Sequence, residues 1–137
     1  MDTVKNSVMI IEDEPMNITA LMHILGKDYT IYAEKDSRNS IDTIKQVKPD
    51  LILLDVMMPE IGGFDIIKKL KNDEETKDIP VIFVTGKTTP EDEAMGFSLG
   101  AVDYINKPFS TDVVKMRVRH QMQIINQNRK LENLQKS

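Results

Sequence analysis

Five short apolar runs, each separated from the next by a stretch with helical spacing, restrict the fold of this chain more than any other feature. They lie at Val8 to Ile11, Tyr29 to Ala33, Leu51 to Leu54, Val81 to Val84 and Asp103 to Ile105, and all are rich in branched or aromatic residues. Three of them are apolar throughout, without the alternation of a half-exposed strand. Such runs suit a parallel sheet covered by helices on both faces. The stretches between them have the spacing of amphipathic helices: Ile18, Leu21, Met22 and Leu25; Ile41, Ile44 and Val47; Phe64, Ile67, Lys68 and Leu70. Helix ends are marked as well. Gly26 closes the first helix, Asp36 or Ser37 caps the second, Pro90 opens the fourth and Ser110 caps the fifth.

Strands and helices in strict alternation require right-handed crossovers. Their most economical closure is a doubly wound, five-stranded parallel sheet of flavodoxin-like α/β type, in the order 2-1-3-4-5. In that order the crevice opens at the carboxyl ends of strands one and three, so chemistry is expected just after Ile11 and just after Leu54. With 137 residues, 40% of them hydrophobic and 29% charged, the chain suffices for one globular core. A net charge of −4 without a basic block does not favour direct binding of nucleic acid or of an anionic membrane. Cysteine is absent, the first residues are polar, and no apolar run approaches the roughly 18 residues of a membrane span. A cytoplasmic location is expected.

The two crevice positions are acidic. Glu12, Asp13 and Glu14 follow the first strand and Asp55 follows the third. Taken singly, each also reads as a solvated loop carboxylate. Together they repel, and a hard divalent cation with oxygen ligands, Mg²⁺ above all, is the usual means of offsetting that repulsion. The remaining strand ends add Thr85-Gly86 and Asn106-Lys107-Pro108-Phe109. A nucleophilic carboxylate, a metal, a hydroxyl donor and an ammonium make a phosphoryl-transfer site, where positioning and electrostatics supply most of the catalysis.

Four fragments, each at a different strand end, give the chain to about residue 122 its resemblance to the receiver domain of two-component response regulators. They are Ile10-Ile11-Glu12-Asp13-Glu14-Pro15, Leu54-Asp55-Val56-Met57-Met58-Pro59 with Gly62-Gly63, Val84-Thr85-Gly86, and the run from Gly100 to Phe109. The resemblance implies that Asp55 is the phosphoacceptor and that Glu12 and Asp13 form the acidic pocket. Asp13, Asp55 and the backbone carbonyl of Met57 would ligate Mg²⁺, while Glu12, where many members carry aspartate, would reach it through water. Lys107 and Thr85 would hold phosphoryl oxygens, and the Lys107-Pro108 bond would be cis, where the residues alone allow an ordinary trans turn. Tyr104 would turn inward behind Thr85 and switch a face made by helix four, strand five and helix five; taken alone it is a half-buried strand aromatic with its hydroxyl in water. Met57 and Lys87 would flank the phosphoryl group and influence its hydrolysis. The phosphoryl donor would be a histidine kinase or a phosphotransfer protein.

From Ser110 through Leu134 there is neither proline nor glycine, and Val114, Val118, Met122, Ile125, Leu131 and Leu134 trace a ragged apolar stripe. One long helix is expected, against the alternative of an ordinary last helix with a polar tail. Residues 1–122 would form the receiver and 123–137 an extension serving as linker or dimerisation segment, with an output domain beyond Ser137. His23 and His120 read as surface residues, and the methionines mostly as core. Two rival readings stand beside the regulatory phosphoacceptor, which is not a turnover enzyme. A haloacid-dehalogenase-like phosphohydrolase resembles Asp-x-Asp, but here the second position is Met57. A pseudo-receiver would only bind partners.

Overall fold

The computed structural model describes residues 5–86 and 89–136. Along the chain come β1 (Ser7–Ile11), α1 (Pro15–Leu25), β2 (Thr30–Glu34), a single 3₁₀ turn (Ser37–Asn39), α2 (Ser40–Val47), β3 (Leu51–Leu54), α3 (Gly63–Lys71), β4 (Val81–Thr85), α4 (Pro90–Ser98), β5 (Asp103–Asn106) and α5 (Thr111–Lys136). The strands are all parallel and ordered β2-β1-β3-β4-β5. This is the expected doubly wound sheet. Successive side chains of a strand point to opposite faces, and both faces are dry. Val8, Ile10, Leu51, Leu53, Ile82 and Val84 pack under α1 and α5, while Met9, Ile11, Ile52, Leu54, Val81 and Phe83 pack under α2 and α3. The edge strand β2 is largely exposed.

Local chemistry explains the helix ends. Pro90 opens α4, and Thr89 caps it by accepting from the Asp92 amide at 3.2 Å. Ser110 Oγ accepts from the Val113 amide at 3.2 Å at the start of α5. Asp36 caps the 3₁₀ turn rather than α2 itself, through the Arg38 amide at 3.0 Å. Ser37 does not cap α2; its hydroxyl bonds the turn that follows β3. The methionine expectation fails: Met9 and Met122 are buried, but Met16, Met22, Met57, Met95 and Met116 are exposed. An unbranched thioether tolerates surface positions beside polar neighbours, so its count says little about the core.

α5 is continuous and far longer than the sheet needs. At ~1.5 Å per residue its 26 residues span about 39 Å, against roughly 17 Å for a five-residue strand. Val114, Val118 and Met122 are buried against the sheet and Ile125 packs at its margin. The apolar stripe does not carry on past them. Leu131 and Leu134 are 57% and 71% exposed, because the helix has outrun the sheet and its phase has turned them away. Polar contacts take over at this point. Asn126 exchanges side-chain hydrogen bonds with Asn6 at 3.1 and 3.2 Å, and Arg129 pairs with Asp50, itself held by the Ser7 amide at 2.7 Å. The helix end is thereby fastened to the amino edge of the sheet.

Burial pushes the Asp50 carboxyl upward, but hydrogen bonds from Arg129, the Ser7 amide and Asn6 outweigh it and hold the group below the usual carboxylate range. A carboxyl with a lowered folded pKa stabilises the fold above its unfolded value of about 3.9 and loses that contribution as pH falls through the folded one. Asp50→Asn is expected to cost roughly 1 kcal/mol at neutral pH. In urea titrations the gap to wild type should close as pH falls from about 5 toward 2. Arg129→Ala should speed amide exchange from Asn126 onward and leave β1 and β3 protected.

Candidate phosphoacceptor site

The carboxyl ends of four neighbouring strands deliver the polar residues of the site to one edge. Glu12 follows β1, Asp55 follows β3, Thr85 ends β4, and Lys107 follows β5. Lys107 Nζ lies 3.0 Å from Asp55 Oδ2, to which it donates, and 2.6 Å from Glu12 Oε1. A single ammonium thus ties together the ends of three strands. The Met57 amide donates to Asp55 Oδ1 at 3.1 Å and the Glu14 amide to Glu12 Oε2 at 3.2 Å, so each buried carboxylate has its second oxygen held by backbone. Lys107 is joined to Pro108 by a cis peptide bond, as the resemblance implied. Asp13, Glu14, Asp55, Met57, Thr85, Gly86 and Lys107 line an open cavity of about 610 Å³.

Charge in this cavity is unbalanced. Carboxylate oxygens of Glu12, Asp13 and Asp55 lie within 4.8 Å of one another, and among the described residues Lys107 brings an ammonium to two of them. Burial pushes the Glu12 carboxyl up to about 7; Lys107 beside it opposes that rise and the Asp55 charge adds to it. Lys107 is itself raised, because its two carboxylate partners outweigh the burial that would lower it. Glu12 Oε1 is buried and meets Lys107 as an ion pair, yet no donor reaches it in hydrogen-bond geometry. A hard divalent cation fits such a set, since it would neutralise the carboxylate charge gathered there.

The loop that carries Asp55 is braced from below. Ser37 Oγ donates to the Pro59 carbonyl at 2.7 Å and accepts from the Ile61 amide at 3.1 Å, so this buried hydroxyl pins the turn between β3 and α3. Its sequence signal points only to a cap, because a serine after an aspartate before a helix has no other local meaning. Gly63 packs the start of α3 directly onto the Asp55 backbone: an added Cβ would overlap the Asp55 carbonyl oxygen and lie 2.9 Å from the Val56 Cα. Tyr104 is buried rather than half-buried, and its hydroxyl donates to the Asp92 carbonyl of α4 at 2.9 Å instead of facing water. By strand register its side chain shares a face with Phe83 and Thr85. Met57 is 62% exposed at the cavity mouth. His23 and His120 are exposed, as expected of surface residues. Lys87 lies outside the described residues.

The model of the response regulator receiver domain family matches residues 8–119. A probable cyclic di-GMP phosphodiesterase of Vibrio cholerae is 41% identical over 133 residues, covering 92% of this chain and 30% of that protein. The DNA-binding dual master transcriptional regulator RpaA of Synechocystis is 36% identical over 118 residues, which cover 82% of this chain and 47% of the regulator. Among solved structures, the signal receiver domain of a DNA-binding response regulator from Colwellia psychrerythraea superposes with a TM-score of 0.81 at 27% identity, covering 87% of this chain and 99% of that one. The chain belongs to the response regulator receiver domain family. It spans less than half the length of the two curated relatives described. No helix among the described residues is long and apolar enough to cross a membrane.

The glycine packing has a measurable consequence. Gly63→Ala should destabilise the domain by about 1–3 kcal/mol in urea unfolding, because the clash is with backbone that cannot step aside. Gly62→Ala should cost less, since its Cβ would meet only the Val56 carbonyl oxygen at 3.3 Å.

Proposed function

We propose that this chain is a phosphoacceptor switch, in which Asp55 takes a phosphoryl group from a phosphohistidine of a kinase or phosphotransfer protein. The observation that carries the reading is Lys107 Nζ, 3.0 Å from Asp55 Oδ2 and 2.6 Å from Glu12 Oε1 at the mouth of an acidic cavity. An Asp55 oxygen attacks phosphorus, and the P–N bond breaks with its electron pair leaving on the imidazole nitrogen. Lys107 and the Thr85 hydroxyl take the phosphoryl oxygens, and the charge that develops in transfer meets the Lys107 ammonium already in place. Asp13, Asp55 and the Met57 carbonyl, with Glu12 completing the acidic set, would hold Mg²⁺. The ion would supply charge neutralisation between the acceptor carboxylate and the incoming phosphoryl group.

The phosphoryl group draws Thr85 toward it, and Tyr104, on the same face of the sheet, reports that movement to α4 and α5. Residues 1–122 act as the receiver in the cytoplasm, and 123–137 extend the last helix toward an output domain beyond Ser137 or a second copy. The greater length of the curated relatives supports this modular reading. Catalysis is confined to the domain's own phosphorylation and dephosphorylation. Met57, in the second position of Asp-x-Met, supplies no acid or base for turnover on small phosphates, which speaks against a phosphohydrolase.

Intact mass after incubation with Mg²⁺ and acetyl phosphate tests the proposal. One added phosphoryl group is expected in wild type, none in Asp55→Asn and none after chelation of Mg²⁺. An unmodified but folded wild type would leave the pseudo-receiver. Met57→Asn should shorten the lifetime of the phosphorylated form several-fold, because an amide at the cavity mouth can orient a water that a thioether cannot; equal decay rates would refute that role.

A further inference from the structure

α4 meets the rest of the molecule through an unusual contact. Its buried residue is Gly96, and the flanking Met95 and Phe97 are 49% and 47% exposed. Glycine inside a helix is destabilising relative to alanine, so its presence there calls for a reason in the packing. That reason is Tyr104. A Cβ built on Gly96 would overlap the Tyr104 hydroxyl outright and stand 2.7 Å from Cζ and 3.0 Å from Cε2. The tyrosine has entered the notch left by the missing side chain, and its hydroxyl bonds the Asp92 carbonyl one helical turn earlier at 2.9 Å. Its ring is gripped by Phe83 at 5.4 Å and Phe97 at 5.3 Å between centroids.

We infer that Gly96 is a positioning residue for Tyr104: the notch it leaves in α4 admits the inward orientation of the ring and so sets the balance between inward and outward states. This rests on the reading of Tyr104 as the switch. With any side chain at position 96, the ring cannot reach the Asp92 carbonyl unless α4 moves away from the sheet. β5 is an edge strand, so the alternative for the ring is to swing out beside α4 into solvent. The amino end of α4 is fixed independently by Pro90 and the Thr89 cap. A change at Gly96 therefore acts on the tyrosine contact without undoing the start of the helix.

The test uses the whole chain labelled with 3-fluorotyrosine, the Tyr104 resonance being identified by its loss in Tyr104→Phe. In Gly96→Ala the Tyr104 signal should move from its buried position toward that of free fluorotyrosine, with the Tyr29 and Tyr32 signals unmoved. Thermal unfolding supplies the second readout. Gly96→Ala should lower Tm by roughly 3–6 °C in the wild-type background and raise it in a Tyr104→Ala background, where the notch is empty and alanine's helix propensity acts alone. An unmoved Tyr104 signal, or the same sign of Tm change in both backgrounds, would overturn the inference. If Gly96→Ala does not fold, folding of the Gly96→Ala/Tyr104→Ala pair would support it and failure of the pair would overturn it. Wild type with Mg²⁺ and acetyl phosphate tests the switch separately. A Tyr104 signal indifferent to Asp55 phosphorylation would end the switch reading and the regulatory meaning of Gly96, whereas the steric result stands or falls without phosphate.

Discussion

A sheet buried on both faces has no room for a polar side chain except at the ends of its strands. β1, β3 and β4 are apolar almost throughout because both of their surfaces are covered, and every residue of β3 is buried. Polar chemistry is thereby expelled to the edges. At the carboxyl edge the chain leaves four strands in succession, and Glu12, Asp55, Thr85 and Lys107 converge although up to 95 residues of chain separate the first from the last. The gathering of the site is a consequence of how the core is kept dry.

That gathering leaves a charge problem, and its partial solution shapes the site. Lys107 is shared by Glu12 and Asp55 and so links the ends of β1, β3 and β5. Among the described residues one ammonium faces three carboxylates. Burial raises the Glu12 carboxyl to about 7, and the Asp55 charge adds to the rise while Lys107 opposes it. An acidic cavity in this condition has a stake in any cation it can hold, and the approach of a phosphoryl anion is tolerable only beside positive charge.

The two edges of the sheet are connected by one element. α5 begins four residues after Lys107, descends along the sheet and is fastened at the opposite edge through Asn126 and Arg129. Beyond the fastening it carries exposed leucines away from the domain. At the lateral edge, α4 is held more lightly, with a glycine against a tyrosine where the other helices press several branched side chains into the core. The α-helix with the fewest buried residues is the one nearest the proposed switch, as expected of segments that move.

Much of this was legible before any coordinates. Apolar runs without alternation determined a covered parallel sheet, and alternation with helical segments determined its winding. The strand ends then placed Glu12, Asp13, Asp55, Thr85 and Lys107 at one edge, because topology alone puts those positions there. Other features depended on contacts between segments remote in sequence. Nothing in the sequence shows that Ser37 braces the loop after Asp55 rather than capping α2, that Leu131 and Leu134 leave the apolar stripe, or that most methionines are exposed. Gly96 reads as a mere flaw in a helix until Tyr104 is seen in the space it leaves. Periodicity and local chemistry determine which elements form and in what order they pack; which side chain fills which gap is decided by distances across the fold, and those exist only once the sheet has closed.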